Sequence, residues 1–162
     1  MLHSVKSLEG FSIGAADGTI GKVKDFYFDV EAWVFRYVVA NTNVWLGREV
    51  LLSPQSIGQA DWEGKVLPVT ITKEQVKNSP SIDTDEPISR QYESSYLGYY
   101  GYPYYWGGTE DAHLRSCNAV MGYHIHARDG DIGHVKGFLA DDYLWSVHFS
   151  VRQRTVRASV LA

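Results

Sequence analysis

Six histidines, a single cysteine and a recurring set of aspartates are the residues of this 162-residue chain whose types could carry chemistry. Five of the histidines, His113, His124, His126, His134 and His148, follow residue 112. His124 and His126 would point to the same side of a strand, and a His-x-His pair so placed can bind a metal. No cysteine or carboxylate stands beside them at a ligand-like spacing, so solvated or interface imidazoles are the better reading and no metal site is assigned. Cys117 cannot form an internal disulfide and reads as a small buried hydrophobe. Asp17, Asp29, Asp129 and Asp141 fall in turns, where an aspartate accepts from local backbone donors. Gly-x-Gly-x-x-Gly, P-loop, Gly-x-Ser-x-Gly and His-Glu-x-x-His patterns are all missing. The expectation is a chain that is not an enzyme, with no catalytic residues and no cofactor.

The other residues that invite a functional reading are aromatic. From Tyr92 through Tyr96, Tyr99, Tyr100, Tyr102, Tyr104 and Tyr105 to Trp106, rings crowd a segment broken by Gly98, Gly101, Pro103 and Gly107-Gly108. Such side chains bring large apolar area with few rotatable bonds, which suits adhesive contact. Tyr96, Tyr99, Tyr100, Tyr102, Tyr104, Tyr105 and Trp106 are therefore the candidate interaction surface. Three uses stay open: packing across two parts of the same chain, contact with another molecule, or a stacking site for a small ligand.

These residues are positioned by a chain that repeats itself. Aligning Leu2 with Leu114, an offset of 112, brings Gly10 onto Gly122, Asp17-Gly18 onto Asp129-Gly130, Ile20-Gly21 onto Ile132-Gly133, Val23-Lys24 onto Val135-Lys136, Trp33 onto Trp145 and Val39 onto Val151 without a gap. A fixed period of this length signals two copies of one unit. Each copy opens with an Asp-Gly hairpin, followed by β-branched and aromatic runs, Ile20 to Phe28 and Val34 to Ala40 in the first, Ile132 to Ala140 and Ser146 to Arg152 in the second. Period-two parity slips inside the middle strand of both, which implies a bulge that curls a short sheet towards closure. Thr72 and Gln75 stand at capping-box spacing ahead of one short helix that ends before Pro80. The second copy stops opposite Val50, so its sheet is expected to be incomplete and to need a strand from the inter-unit segment or from another chain.

The series Gly21-x-Val23-x-Asp25-Phe26-x-Phe28-Asp29, Trp33, Arg36-Tyr37-Val38-Val39, Trp45-Leu46-x-Arg48 and Val50-Leu51-Leu52-Ser53-Pro54 resembles the PRC-barrel domain of the photosynthetic reaction centre H subunit, a version of which occurs in the ribosome maturation factor RimM. Thr72 to Pro80 looks like the reaction-centre branch. The resemblance implies a small β-barrel that docks onto other proteins. The expected fold is mainly β: a PRC-type barrel unit at 1–80, an acidic then Tyr/Gly-rich segment at 81–111, and a truncated second unit at 112–162, with one short helix after the first barrel.

Composition sets the outer limits. A net charge of −4 argues against a nucleic-acid surface. No run approaches the eighteen or so apolar residues of a membrane span and no signal region opens the chain, so a cytoplasmic, bacterial protein without direct membrane insertion is expected. The reading is a non-catalytic interaction or assembly module with protein partners, a homo-oligomer, and a possible link to reaction-centre-type complexes. A small-ligand or metal-responsive regulator is the alternative, and a module related to RNA processing or ribosome maturation a weaker one.

Overall fold

The computed structural model describes residues 2–43, 45–82, 88–105, 114–127, 130–141, 145–151 and 154–157. In the first unit β1 (Leu2–Ser4) leads into a short helix, α1 (Val5–Leu8), and then into the hairpin of β2 (Ser12–Ala15) and β3 (Gly18–Asp29). β4 (Val34–Asn41), β5 (Glu49–Leu52), a 3-10 turn at Pro54–Ser56, β6 (Val66–Pro68) and helix α2 (Lys73–Lys77) follow. The sheet order is β5-β4-β3-β2-β6, antiparallel except for the parallel pair β2 and β6. The slipped parity of the middle strand appears as register shifts in β3 between Val23 and Asp25 and between Tyr27 and Phe28. Gly21 is required by a close approach: a Cβ there would lie 2.0 Å from the Asn41 carbonyl oxygen.

The second unit follows the first element by element. β7 (Leu114–Ser116), α4 (Cys117–Val120) and β8 (His124–Ala127) stand at the offset of 112 from β1, α1 and β2. β9 (Gly130–His134) and β10 (Gly137–Asp141) together span the counterpart of β3, broken at Val135-Lys136. Gly10 and Gly122, just past the two short helices, share a positive φ of 83° and 84°. Trp33 and Trp145 share another, 54°.

The units exchange their first strands. β1 pairs with β10, Leu2 opposite Asp141, and β7 pairs with β3, Leu114 opposite Asp29, so each strand takes the equivalent place in the other unit. Between them Val34 bridges Ser146, Phe35 N–H donates to the Trp145 carbonyl at 2.8 Å, and Val147 N–H donates to the Trp33 carbonyl at 2.9 Å. These contacts are reciprocal about one local two-fold axis. One apolar core spans both units, with Ile20, Phe26 and Val38 from the first and Cys117, Phe138 and Val147 from the second.

Two expectations need correcting. The second sheet is completed by its own chain: β11 (Val147–Val151) pairs with β12 (Arg154–Arg157), Val151 opposite Arg154, in the order β1-β10-β11-β12. In the first unit the corresponding strands pair with Val39 opposite Leu51. Nor is α2 the single helix, because α3 (Arg90–Tyr100) forms within the inter-unit segment. α3 covers the outer face of β3, β4 and β5, and this explains why Tyr37-Val38-Val39-Ala40 is buried without alternation. Val38 and Ala40 face the shared core, while Tyr37 and Val39 face α3.

Candidate interaction surface

The aromatic segment forms a helix because its large residues fall at helical spacing. Ser89 is the N-cap, its hydroxyl accepting from Tyr92 N–H at 3.1 Å, and Gly101 ends the helix at φ 71°. Between the caps Tyr92, Glu93, Tyr96, Leu97 and Tyr100 make one stripe. With Ile88 that stripe closes a second apolar core over Tyr27, Tyr37, Val39, Leu51 and Leu114. Tyr37 and Tyr96 meet edge to face at 5.3 Å.

The polar tips of Tyr92, Glu93 and Tyr96 are paired inside this layer, while the Tyr100 hydroxyl is buried with no hydrogen-bond partner among the described residues. The Tyr96 hydroxyl accepts from Ser53 N–H at 2.9 Å, and the Tyr92 hydroxyl donates to the Pro80 carbonyl at 2.9 Å. Glu93 is fully buried, and one of its carboxylate oxygens accepts from the Tyr37 hydroxyl at 2.9 Å and from the Tyr105 hydroxyl. Burial, with the Glu93 charge next in effect, pushes the Tyr37 phenol far above its ordinary range. Burial likewise raises Tyr92 and Tyr96 and pushes Tyr100 up to about 12. The Arg36 guanidinium stacks 3.8 Å above the Tyr105 ring and reaches the Asp29 carboxylate at 3.4 Å. Burial holds these phenols neutral.

The seven candidate residues therefore divide. Tyr96 is buried in the chain's own core, and Tyr100, Tyr102 and Tyr105 are half-buried against it. Tyr99 and Tyr104 are 40% and 57% exposed, Tyr99 near the end of α3 with its hydroxyl donating to the Gln75 carbonyl at 2.6 Å, and Tyr104 in the irregular stretch after Gly101. Trp106 lies outside the described residues. Glu93, which the sequence reading passed over, is the acidic centre of the layer. Its signal was its place in the stripe, between the Ser89 cap and Gly101.

The residues of the repeat find structural roles as well. Asp17 accepts from Lys73 N–H at 2.9 Å and so caps α2. Asp29 accepts from Glu31 N–H at 2.8 Å within its turn. Arg48 donates to the Lys77 and Ser79 carbonyls, both at 2.9 Å, closing the other end of α2. The Trp45 indole donates to the Ile20 carbonyl. Asp25 ties the units together, accepting from the Ser116 hydroxyl and from Asn118 N–H at the start of α4. Burial pushes its carboxyl up despite these bonds. Cys117, buried beside Asp25 and Glu9, has its thiol pushed well up, first by burial.

His124 stands opposite His134 across β8 and β9, ring centroids 4.6 Å apart and both exposed. The His126 side chain lies outside the described residues. Among the described residues no group of three or more His, Cys, Asp or Glu is arranged to hold a metal. A cleft of about 330 Å³ opens between the units, with His3 stacked on Trp62 at one wall and Trp145 and Ala140 at another. No helix among the described residues is long and apolar enough to cross a membrane.

Residues 2–76 match the family model described as PRC-barrel domain, and this part of the chain is a PRC-barrel domain. The match takes in β1, a strand whose sheet partner is β10 of the second unit. No curated protein matches the chain.

Proposed function

We propose that this PRC-barrel protein is a non-catalytic interaction module whose outward tyrosines dock another protein. The observation that carries this reading is the division of the aromatic segment. Its inner rings fix α3 to the barrel and the Tyr99 hydroxyl ties it to the Gln75 carbonyl of α2, while the exposed faces of Tyr99 and Tyr104 are presented on that base. The groups of catalytic type support it from the other side: Asp25, Glu93 and Cys117 are buried in structural contacts. A partner within a reaction-centre-type complex is the finer version that the family resemblance suggests. The test places a photo-reactive phenylalanine at position 104 and, as a control, at exposed Glu63 in the native host. A discrete heterologous adduct at 104 alone supports the reading. Adducts at neither position, or equally at both, refute it. Light scattering against the monomer mass of 18.2 kDa separates self-association from a foreign partner.

The opposed imidazoles of His124 and His134 favour a second reading, a divalent-metal-responsive surface. Calorimetry with nickel or zinc on the full chain and on His124→Ala tests it. Uptake by the parent that the variant loses supports this reading, and equal uptake removes it.

A further inference from the structure

Two positions 112 apart differ in a way that changes the packing around an indole. Phe28, at the end of β3, lies nearly parallel to the Trp33 indole, with ring centroids 5.8 Å apart and planes 18° from each other, and it is buried. The indole recurs as Trp145, in the same left-handed backbone conformation of φ 54°, but the residue at the place of Phe28 is Ala140. The neighbouring strands are equivalent as well: Arg115 of β7 stands opposite Phe28, and His3 of β1 stands opposite Ala140. Where the first unit sets a ring on its indole, the second has a methyl group, and the cleft of about 330 Å³ is lined by both Ala140 and Trp145.

The other walls suit a flat guest. Directly opposed residues share a face of a sheet, so His3 projects beside Ala140. Its imidazole is stacked on Trp62, centroids 4.3 Å apart and planes 27° from parallel. Trp62 is itself held edge-on against Phe11 and stays 38% exposed, so a fixed and partly open indole borders the cleft. Leu8 and Leu67, both buried, supply apolar wall. Gln59, exposed at the rim, brings an amide that can donate and accept. None of the described lining residues is Asp, Glu, Lys or Arg, so an ionised ligand would lose water without gaining an opposite charge. Small-molecule sites begin at roughly 300 Å³, a size that suits one ring or two fused rings.

We infer that this cleft binds an uncharged aromatic small molecule of one or two fused rings, stacked on Trp145 as Phe28 is stacked on Trp33. Ring pairs favour offset or edge-on arrangements with centroids about 4.5–7 Å apart, and the Phe28 and Trp33 pair supplies the geometry for this one. The site is separate from Tyr99 and Tyr104, so the inference goes beyond the docking reading and stands without it. Its walls come from both units, with His3, Leu8 and Trp62 on one side and Ala140 and Trp145 on the other. A ligand held there therefore favours the exchanged arrangement of β1 on β10 and raises the melting temperature of the whole chain.

Indole is the probe, titrated to about 1 mM into the isotope-labelled full chain. The side-chain N–H signals of Trp62 and Trp145 and the amides of Gly58, Gln59 and Ala140 should shift together along one saturating curve. Nuclear Overhauser contacts should join indole to the Trp145 ring. Ala140→Phe gives the second unit the ring that the first carries at Phe28; it should melt at or above the parent and take up no indole. Trp62→Ala, at a partly exposed position, should weaken uptake by about five-fold or more. Indole-3-carboxylate, equally flat but ionised, should bind more weakly than indole. Absent shifts at the cleft, shifts confined to Tyr99–Tyr104, or parent-like uptake by folded Ala140→Phe would each overturn the inference. So would contacts in the free chain that already set another of its own rings on Trp145 within the cleft. If Ala140→Phe does not fold, Trp62→Ala decides, and undiminished uptake there overturns the site. Equal uptake of the carboxylate overturns the uncharged class of ligand.

Discussion

Tyr96→Ala probes the contact on which the α3 layer depends. The ring is 1% exposed, packs on Tyr37 and Tyr100, and its hydroxyl satisfies Ser53 N–H at the end of β5. Truncating a buried aromatic to alanine costs about 3–5 kcal/mol. For a chain of this size each kcal/mol lowers Tm by about 2–4 °C, so the expected drop is about 6–20 °C. Tyr96→Phe keeps the ring and orphans one buried amide, at a cost of about 1–3 kcal/mol, and should fall between the parent and the alanine variant. Tyr104→Ala, on an exposed side chain, should stay within about 0.5 kcal/mol of the parent. Differential scanning calorimetry on the three variants, with calorimetric and van't Hoff enthalpies compared for two-state behaviour, is the assay. If Tyr96→Ala melts within about 1 °C of the parent, α3 is not part of the folded core and the division of the aromatic segment fails with it.

Three further outcomes follow from the same contacts. Gly21→Ala should unfold the chain or lower its Tm more than any surface substitution, because its Cβ meets backbone at 2.0 Å; a parent-like melt would show that β3 and β4 are not so close there. Asp25→Asn should change how stability depends on pH: the raised carboxyl contributes stability fully below its ordinary value of 3.8 and loses it as pH rises through the folded value, so the parent should gain on the variant as pH falls, and the opposite trend would mean that the Ser116 and Asn118 bonds hold the carboxylate charged. Removing residues 1–4 deletes β1 and should speed hydrogen exchange in β10, near Leu139 and Asp141; unchanged protection there would refute the strand exchange.

The mainly β fold and the hairpin of the first barrel were legible in the residues because they depend on near neighbours. Asp-Gly steps set turns, Gly10 and Gly122 close one-turn helices, and β-branched runs pair with the strand just made. The helix of the aromatic segment was legible in principle, from the Ser89 cap, the stripe from Tyr92 to Tyr100 and the Gly101 stop. Gly98 in its midst and the crowd of β-favouring tyrosines obscured it. What decided the matter was the outer face of Tyr37, Val39 and Leu51, an apolar surface that had to be covered and outweighed local propensity.

The sequence by itself determined that residue types recur at an offset of 112 and which residues recur. Only the tertiary structure decided which unit each first strand completes. β1 and β7 are three residues long and would make the same ladder with either copy, so local chemistry does not choose between β3 and β10. The choice falls to the shared core and to the reciprocal bonds around Trp33 and Trp145, which form only when the units meet about their two-fold. The same holds for the candidate surface. Composition marked seven aromatic residues alike, and burial then took Tyr96 inward and left Tyr99 and Tyr104 facing out, since exposure belongs to a surface that exists only once the chain has folded.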